Sequence, residues 1–187
     1  KSVGAAPGVL LAVGLWAQSP ALYAGETNVE VFVGGKFYST DARLGRDESL
    51  RGDSESALQH SGILGVRLGY LFTPRLGIEG ELSVSPTGTR GDITKDAAGN
   101  RLGGSQPQYL VLPVRAHLVV NLMTGRLRPF ALLGGGVHLG SPIGPGIGLG
   151  SDVVGEIHAG AGLRFDVKPE KWGFRLDGRV IFPQGFE

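Results

Sequence analysis

The chain of 187 residues has no cysteine. This absence excludes disulfide bonds, thiolate metal sites and a catalytic thiol. The chain also lacks any run of about 18 uncharged apolar residues, so no membrane-spanning helix is expected. Excess charge of one sign is missing too, because 18 Lys and Arg face 17 Asp and Glu. This balance argues against a nucleic-acid partner recruited by bulk charge. No cofactor is predicted.

Glycine is abundant instead, because the chain has 33 glycines in 187 residues. The typical share in proteins is only about 7%. Within strands, glycine suits places where strands bend or crowd a narrow interior. Residues 75–85 are predicted to form a β-strand, because apolar and polar side chains alternate there with the period of two that marks such a strand. One face carries Leu76, Ile78, Leu82 and Val84, and the other carries Gly77, Glu79, Glu81, Ser83 and Ser85.

The same alternation predicts seven strands, at about 28–37, 62–72, 75–85, 109–122, 128–139, 152–167 and 172–182. Tight turns at 72–75, 122–129 and 167–172 alternate with long polar loops at 39–60, 86–108 and 140–152. This asymmetry is typical of outer-membrane barrels, whose short and long connections lie at opposite ends. We therefore expect one all-β domain, an antiparallel up-and-down transmembrane β-barrel. Because such barrels have an even number of strands, an eighth, closing strand is expected beyond Glu187.

The N-terminal residues have the order of a secretory signal. Lys1 is followed by a short apolar core at 9–16 and by a small residue, Ala24, before Gly25. The expected organisation is a signal peptide at 1–24 and a barrel domain at 25–187.

The polar face of the predicted strands is ionic. Charges removed from water must be paired, so equal numbers of acids and bases on one face predict an ion network inside a closed wall. A barrel of about eight strands is just filled by its own side chains, which predicts a plugged or nearly plugged lumen. The predicted network has six acids and six bases: Glu30, Lys36, Arg67, Glu79, Glu81, Arg115, Glu156, Arg164, Asp166, Arg175, Asp177 and Arg179.

Two further features concern position along the barrel axis. Tyr70, Phe72 and Trp172 fall at the short-turn end on the apolar face, as interfacial aromatic residues do. Pro113 interrupts the fourth strand and deletes a backbone donor, so we expect a bulge near the outer rim there.

In this order the segments resemble the N-terminal eight-stranded transmembrane barrel of the OmpA-like outer-membrane protein family. The resemblance rests on 65–86 (GVRLGYLFTPRLGIEGELSVSP), 115–120 (RAHLVV), 128–137 (RPFALLGGGV), 159–179 (AGAGLRFDVKPEKWGFRLDGR) and 180–183 (VIFP). It implies a non-enzymatic protein of the outer membrane of a Gram-negative bacterium, with a structural role in the envelope and at most narrow passage of small solutes. It also implies contact with outer-membrane lipids and lipopolysaccharide, and with peptidoglycan only through a downstream domain.

Alternatives stay open at this point. A lipid-modifying barrel enzyme would need a Ser nucleophile and a His base close together at lipid height. A soluble lipocalin-like ligand-binding barrel would instead have its apolar side chains facing an inner cavity and its charged side chains on the exterior. His117, His138 and His158 all face inward, but His117 is expected nearer the turns than the other two, which disfavours a metal site. The RGD tripeptides at 51–53 and 90–92 and the glycine-rich 144–150 are interpreted as ordinary loop sequence.

Overall fold

The computed structural model describes residues 8–18, 25–38, 60–88, 108–143, 152–168 and 171–184. Both RGD tripeptides and the glycine-rich segment 144–150 lie outside these ranges. The described residues form eight strands: β1 (Gly8–Gln18), β2 (Glu26–Tyr38), β3 (Ser61–Leu71), β4 (Leu76–Gly88), β5 (Gln108–Asn121), β6 (Leu127–Ile143), β7 (Asp152–Lys168) and β8 (Trp172–Gln184). None of the described ranges contains a helix long and apolar enough to cross a bilayer.

The eight strands close into one barrel in sequence order, with every neighbouring pair antiparallel. The predicted up-and-down barrel is therefore confirmed, and β2 to β8 lie within four residues of their predicted ends. The strand ends joined through 19–25, 72–75, 122–126 and 169–171 lie at one end of the barrel, which we call the short-turn end. The strand ends joined through 39–60, 89–107 and 144–151 lie at the other, which we call the long-loop end.

The predicted strand count is wrong by one, because residues expected in a signal peptide form β1. Strand β1 pairs with β2 from Gly8↔Tyr38 to Gln18↔Asn28 and with β8 from Gly8↔Ile181 to Ala17↔Trp172. In this structure the barrel is therefore closed by β1. The alternation was hidden because both faces of β1 are apolar, and a short apolar run does not reveal its period.

Burial alternates strictly along most strands, with apolar side chains outward and polar ones inward. On β3, for example, Leu64, Val66 and Leu68 are exposed while Arg67 is buried. Two small apolar clusters also lie inside. One comprises Leu10, Ala12, Phe32, Ile63 and Ile181, and the other Val119, Phe130 and Leu132.

Pro113 is accommodated without the expected bulge. Pairing of β4 with β5 runs to Leu82↔Val114 and resumes at Ser85↔Val111 in the same register, so two pairs are skipped at Pro113. On its other side Pro113 stays in register opposite His138. The missing N–H therefore costs local pairing with β4 and does not shift the strand.

Candidate functional site

The barrel interior holds an ion network that we call the lumen network: the twelve charged residues predicted from the sequence together with Arg128. All thirteen side chains are buried, each at most 4% exposed. Seven bases therefore face six acids among the described residues. The strands place them there because each occupies an inward position of the two-residue alternation.

A row of alternating charge runs around the wall at directly paired positions. Glu30 on β2 is paired with Arg67 on β3, Arg67 with Glu81 on β4, and Glu81 with Arg115 on β5. Each neighbouring pair forms a salt bridge: Arg67 with Glu30, Arg67 Nε with Glu81 Oε2 at 2.7 Å, and Arg115 Nη1 with Glu81 Oε1 at 2.7 Å. Opposite charges on adjacent strands stabilise the sheet, and like charges there would destabilise it.

The row continues across a gap on β6. Gly136 is paired with Arg115 on one side and with Glu156 on the other, and the two charged side chains form a salt bridge over it. A Cβ atom at position 136 would lie 2.9 Å from Cγ of Arg115, which is too close. Glycine at this position therefore lets β5 and β7 exchange an ion pair past the intervening strand.

Strand β8 sends charged side chains across the lumen. In a ring of eight strands, β8 lies opposite β4. Arg179 Nη1 contacts Glu81 Oε2 at 2.8 Å, and Arg175 Nη1 contacts Glu79 Oε2 at 2.8 Å. Asp177 Oδ2 lies 3.1 Å from Arg67 Nη1 in a further salt bridge. These contacts join opposite walls through the middle of the barrel, so the interior is bridged by side chains.

The remaining members extend the network toward both ends. Arg164 on β7 pairs with Glu79, and Arg128 Nη2 lies 2.8 Å from Asp166 Oδ1 close to the short turns. Toward the long loops, Lys36 Nζ lies 3.5 Å from Nε2 of His138, whose ring also contacts Glu156.

Two aromatic rings form cation–π contacts with guanidinium groups of the lumen network. The Arg67 guanidinium lies 3.8 Å from the ring centre of Phe32, and that of Arg175 lies 4.3 Å from the ring centre of Phe130. Nη2 of each arginine has no hydrogen-bond partner among the described residues. The ring faces offer these desolvated cations a partial substitute for hydrogen bonds.

The structure corrects the expected heights of the histidines. His117 and His158 lie at the same level, with ring centroids 5.3 Å apart and His158 Nε2 3.3 Å from His117 Nδ1. Glu79 Oε2 lies 3.3 Å from His117, and Glu156 Oε1 lies 3.2 Å from His158. No group of three or more potential metal ligands with suitable geometry occurs among the described residues.

Arg128, Phe32 and Phe130 were missed as lumen residues. Arg128 and Phe130 are in phase with Gly134, Gly136 and His138 on β6, so alternation carried through to the start of the strand would have found them. Phe32 is an apolar residue on a polar face, and its role depends on Arg67 of the next strand.

The chain matches no protein-family model, no curated protein and no solved structure. The resemblance to the OmpA-like family therefore stays a prediction. The arrangement itself can hold a wall rigid and block a wide pore, because charged side chains fill and bridge the interior.

The outer surface has the opposite chemistry. Exposed apolar side chains occur on all eight strands, for example Val13, Val31, Val66, Leu133 and Leu176. Tyr70, Phe72 and Trp172 are exposed at the short-turn end, where they were expected. Among the residues whose side chains are described, the exposed Lys, Arg, Asp and Glu are Arg75, Arg126, Lys168 and Lys171, and all four lie at that same end.

Proposed function

We propose that this chain is an integral outer-membrane β-barrel protein with a structural role in the envelope of a Gram-negative bacterium. The observation that carries the proposal is the outer wall. Around the whole ring, the described outward positions between the two ends hold apolar side chains and no Lys, Arg, Asp or Glu.

The apolar belt on the outer wall favours lipid over water as the surrounding solvent. A soluble monomer rarely exposes a contiguous apolar patch larger than a few hundred Å². Here the apolar surface encircles the barrel, so contact with water would be unfavourable over the whole belt. In hydrocarbon the same belt is compatible with its surroundings, and closure leaves no strand edge without a hydrogen-bond partner.

Strand length agrees with this environment. A tilted strand needs about 9–11 residues to cross the hydrocarbon core. The eight strands have 11 to 17 residues, as their bounds give, which leaves several residues for the interfaces. Exposed aromatic residues next to the short turns fit the headgroup level at one of these interfaces.

The lumen network favours a structural role over transport. Salt bridges between β8 and β4 cross the interior at two places, through Arg179 with Glu81 and Arg175 with Glu79. A solute would have to break buried ion pairs to pass, and that is costly. At most, narrow passage of small solutes is compatible with this interior. Outer-membrane lipids and lipopolysaccharide are the proposed partners, and peptidoglycan would be reached only through a downstream domain.

Two measurements test the proposal. First, we expect the purified full chain to stay monodisperse in detergent and to precipitate or associate when detergent is diluted below its critical micelle concentration. Second, chain inserted into planar bilayers should show little or no stable conductance. A monodisperse chain without detergent would contradict the membrane assignment, and large, long-lived conductance steps would contradict the plugged interior.

The lipocalin-like alternative shares the closed barrel but needs an apolar cavity and a charged exterior. The buried charges inside and the apolar belt outside do not favour it. A lipid-modifying enzyme would need Ser and His together on the outer wall, whereas His117 and His158 are buried in the lumen and His138 is mostly so.

A further inference from the structure

An open hollow of about 630 Å³ lies at the short-turn end between two turns. Thr73, Pro74 and Arg75 of the β3–β4 turn line one side, and Thr124 and Gly125 of the β5–β6 turn line the other. Its lining residues include one cationic residue, Arg75, and two hydroxyl-bearing residues, Thr73 and Thr124, and none of them is acidic. This composition fits a phosphate group, which Arg and hydroxyl donors recognise.

The two turns are fixed to each other and to the barrel. Asn121 on β5 donates its backbone N–H to the carbonyl of Arg75 (2.7 Å) and its side-chain amide to the carbonyl of Pro74 (3.1 Å). The carbonyl of Arg126 accepts from the backbone N–H of Asp166 on β7 at 2.9 Å. The residues that line the hollow therefore stand on backbone held by the wall, which lowers the entropy lost on binding.

Thr73 is oriented by its own turn. Its hydroxyl oxygen accepts from the backbone N–H of Leu76 at 2.9 Å and of Arg75 at 3.3 Å. Because the oxygen is an acceptor in both contacts, the hydroxyl proton can still be donated to a ligand. Gly125 contributes backbone alone, so no side chain fills the hollow from that position.

The surroundings place the hollow beside the apolar belt. Phe72 directly precedes Thr73, is 47% exposed and meets Tyr70 edge to face with ring centroids 5.3 Å apart. Arg126, Lys168 and Lys171 are exposed at the same end. A phosphate linked to acyl chains could therefore enter the hollow while its chains lie along the wall.

Resting on the proposed membrane location, we propose that this hollow binds the phosphate of an anionic phospholipid headgroup. Arg75 is the charged partner, and Thr73 and Thr124 supply hydroxyl donors. The apolar wall below the hollow holds the acyl chains, so a lipid phosphate binds more tightly than free inorganic phosphate.

The test measures lipid retained by the full chain in detergent, by native mass spectrometry, as the lipid concentration is raised. The probes are dimyristoylphosphatidylglycerol, dimyristoylglycerol, which has the same chains without phosphate, and inorganic phosphate. We expect Arg75→Gln to weaken binding of the phospholipid by about tenfold, the size expected for one lost charge-assisted hydrogen bond. Lys171→Gln is the matched control, because it removes one cation from the same end but outside the hollow, and it should change binding less than twofold.

Equal loss in both variants would overturn the proposal in favour of general attraction to a basic surface. Equal retention of dimyristoylglycerol and the phospholipid would overturn it by showing that the phosphate is not recognised. If inorganic phosphate bound as tightly as the phospholipid, the proposal that the acyl chains contribute to binding would be overturned. The detergent-dilution experiment is separate, so failure of the membrane assignment is visible whatever the lipid variants show.

Discussion

His117 on β5 and His158 on β7 contact each other over Gly134 of β6, which is paired with both of them. Two strands that are not neighbours in the sheet thus share a side-chain contact, because the strand between them has no side chain at that level. Gly136 permits the same kind of contact between Arg115 and Glu156. Gly134 and Gly136, at consecutive inward positions of β6, therefore permit the histidine contact and the Arg115–Glu156 salt bridge.

Adding one methyl group at this crossing should destabilise the barrel. In Gly134→Ala the new Cβ would lie 2.6 Å from Cβ of His117 and would also be close to the backbone, so β5 or β6 must shift. Overpacking of this kind costs about 1–3 kcal/mol. The free energy of unfolding in urea, measured in the same detergent for each variant, checks it.

Gly80→Ala is the control, because Gly80 faces outward on β4 and a Cβ there would meet nothing within 4 Å. We expect its stability to be unchanged or raised by about 0.4–1 kcal/mol through the unfolded chain. Equal stability of the two variants would show that the interior tolerates a side chain at Gly134.

Much of this fold could be predicted from the sequence, since period-two alternation with charged inward positions specifies both the strands and their orientation. Arg67 and Glu81, for example, were assigned to the lumen from their phase alone, and the structure buries both. The partners within the lumen could not be predicted. Contacts such as Arg179 with Glu81 join β8 to β4, and they depend on closure, strand register and lumen width rather than on local pattern.

Two predictions, the number of strands and the level of His158 relative to His117, were wrong because local sequence pattern does not determine them. Strand β1 has Leu10 and Ala12 inside and Val9, Leu11 and Val13 outside, so its pattern is that of any apolar segment. The level of His158 relative to His117 depends on the stagger of β5, β6 and β7, and loop positions alone do not determine it.

Removing the charge of Glu81 should have a large effect. Glu81 contacts three arginines, with Arg67 and Arg115 at 2.7 Å and Arg179 at 2.8 Å. In Glu81→Gln three buried cations lose a shared anion, and breaking a buried ion pair costs about 3–5 kcal/mol. Denaturant unfolding measures the loss.

Ser83→Ala is a close control on the same strand and the same inward face. Its hydroxyl oxygen is buried and has no hydrogen-bond partner among the described residues, so removal should change stability by less than about 0.5 kcal/mol. If Glu81→Gln were as mild as Ser83→Ala, the lumen network would not be a main source of the stability of the barrel.

A charge placed on the outer wall should distinguish lipid from water. Val66 is exposed in the middle of β3, and Leu76 is exposed where β4 begins at the short turns. In a bilayer, Val66→Arg should cost about 2–4 kcal/mol, whereas Leu76→Arg should cost about 0–1 kcal/mol because it lies near the interface. Unfolding free energies in lipid vesicles provide the comparison. Similar, small costs at both positions would indicate a wall that faces water.

The position of β1 can be tested by cross-linking, because the chain has no cysteine of its own. Val13 is paired with Val33 of β2 and with Leu176 of β8, and all three side chains point outward. Cysteine at 13 should therefore form a disulfide with cysteine at 33 or at 176 in mild oxidant. It should not do so with cysteine at 66, which lies one strand further away on β3.

The mass of the chain purified from membranes decides whether residues 8–18 form β1 or belong to a signal peptide that is removed. Retention of 8–18, with cross-links on both sides, would show that β1 closes the barrel between β2 and β8. A chain beginning at Gly25 would show that the segment is a removed signal peptide. The space between β2 and β8 would then need another strand, because neither edge could remain unbonded in hydrocarbon. The charged lumen would be preserved in either case, since all thirteen members of the lumen network lie on β2 to β8.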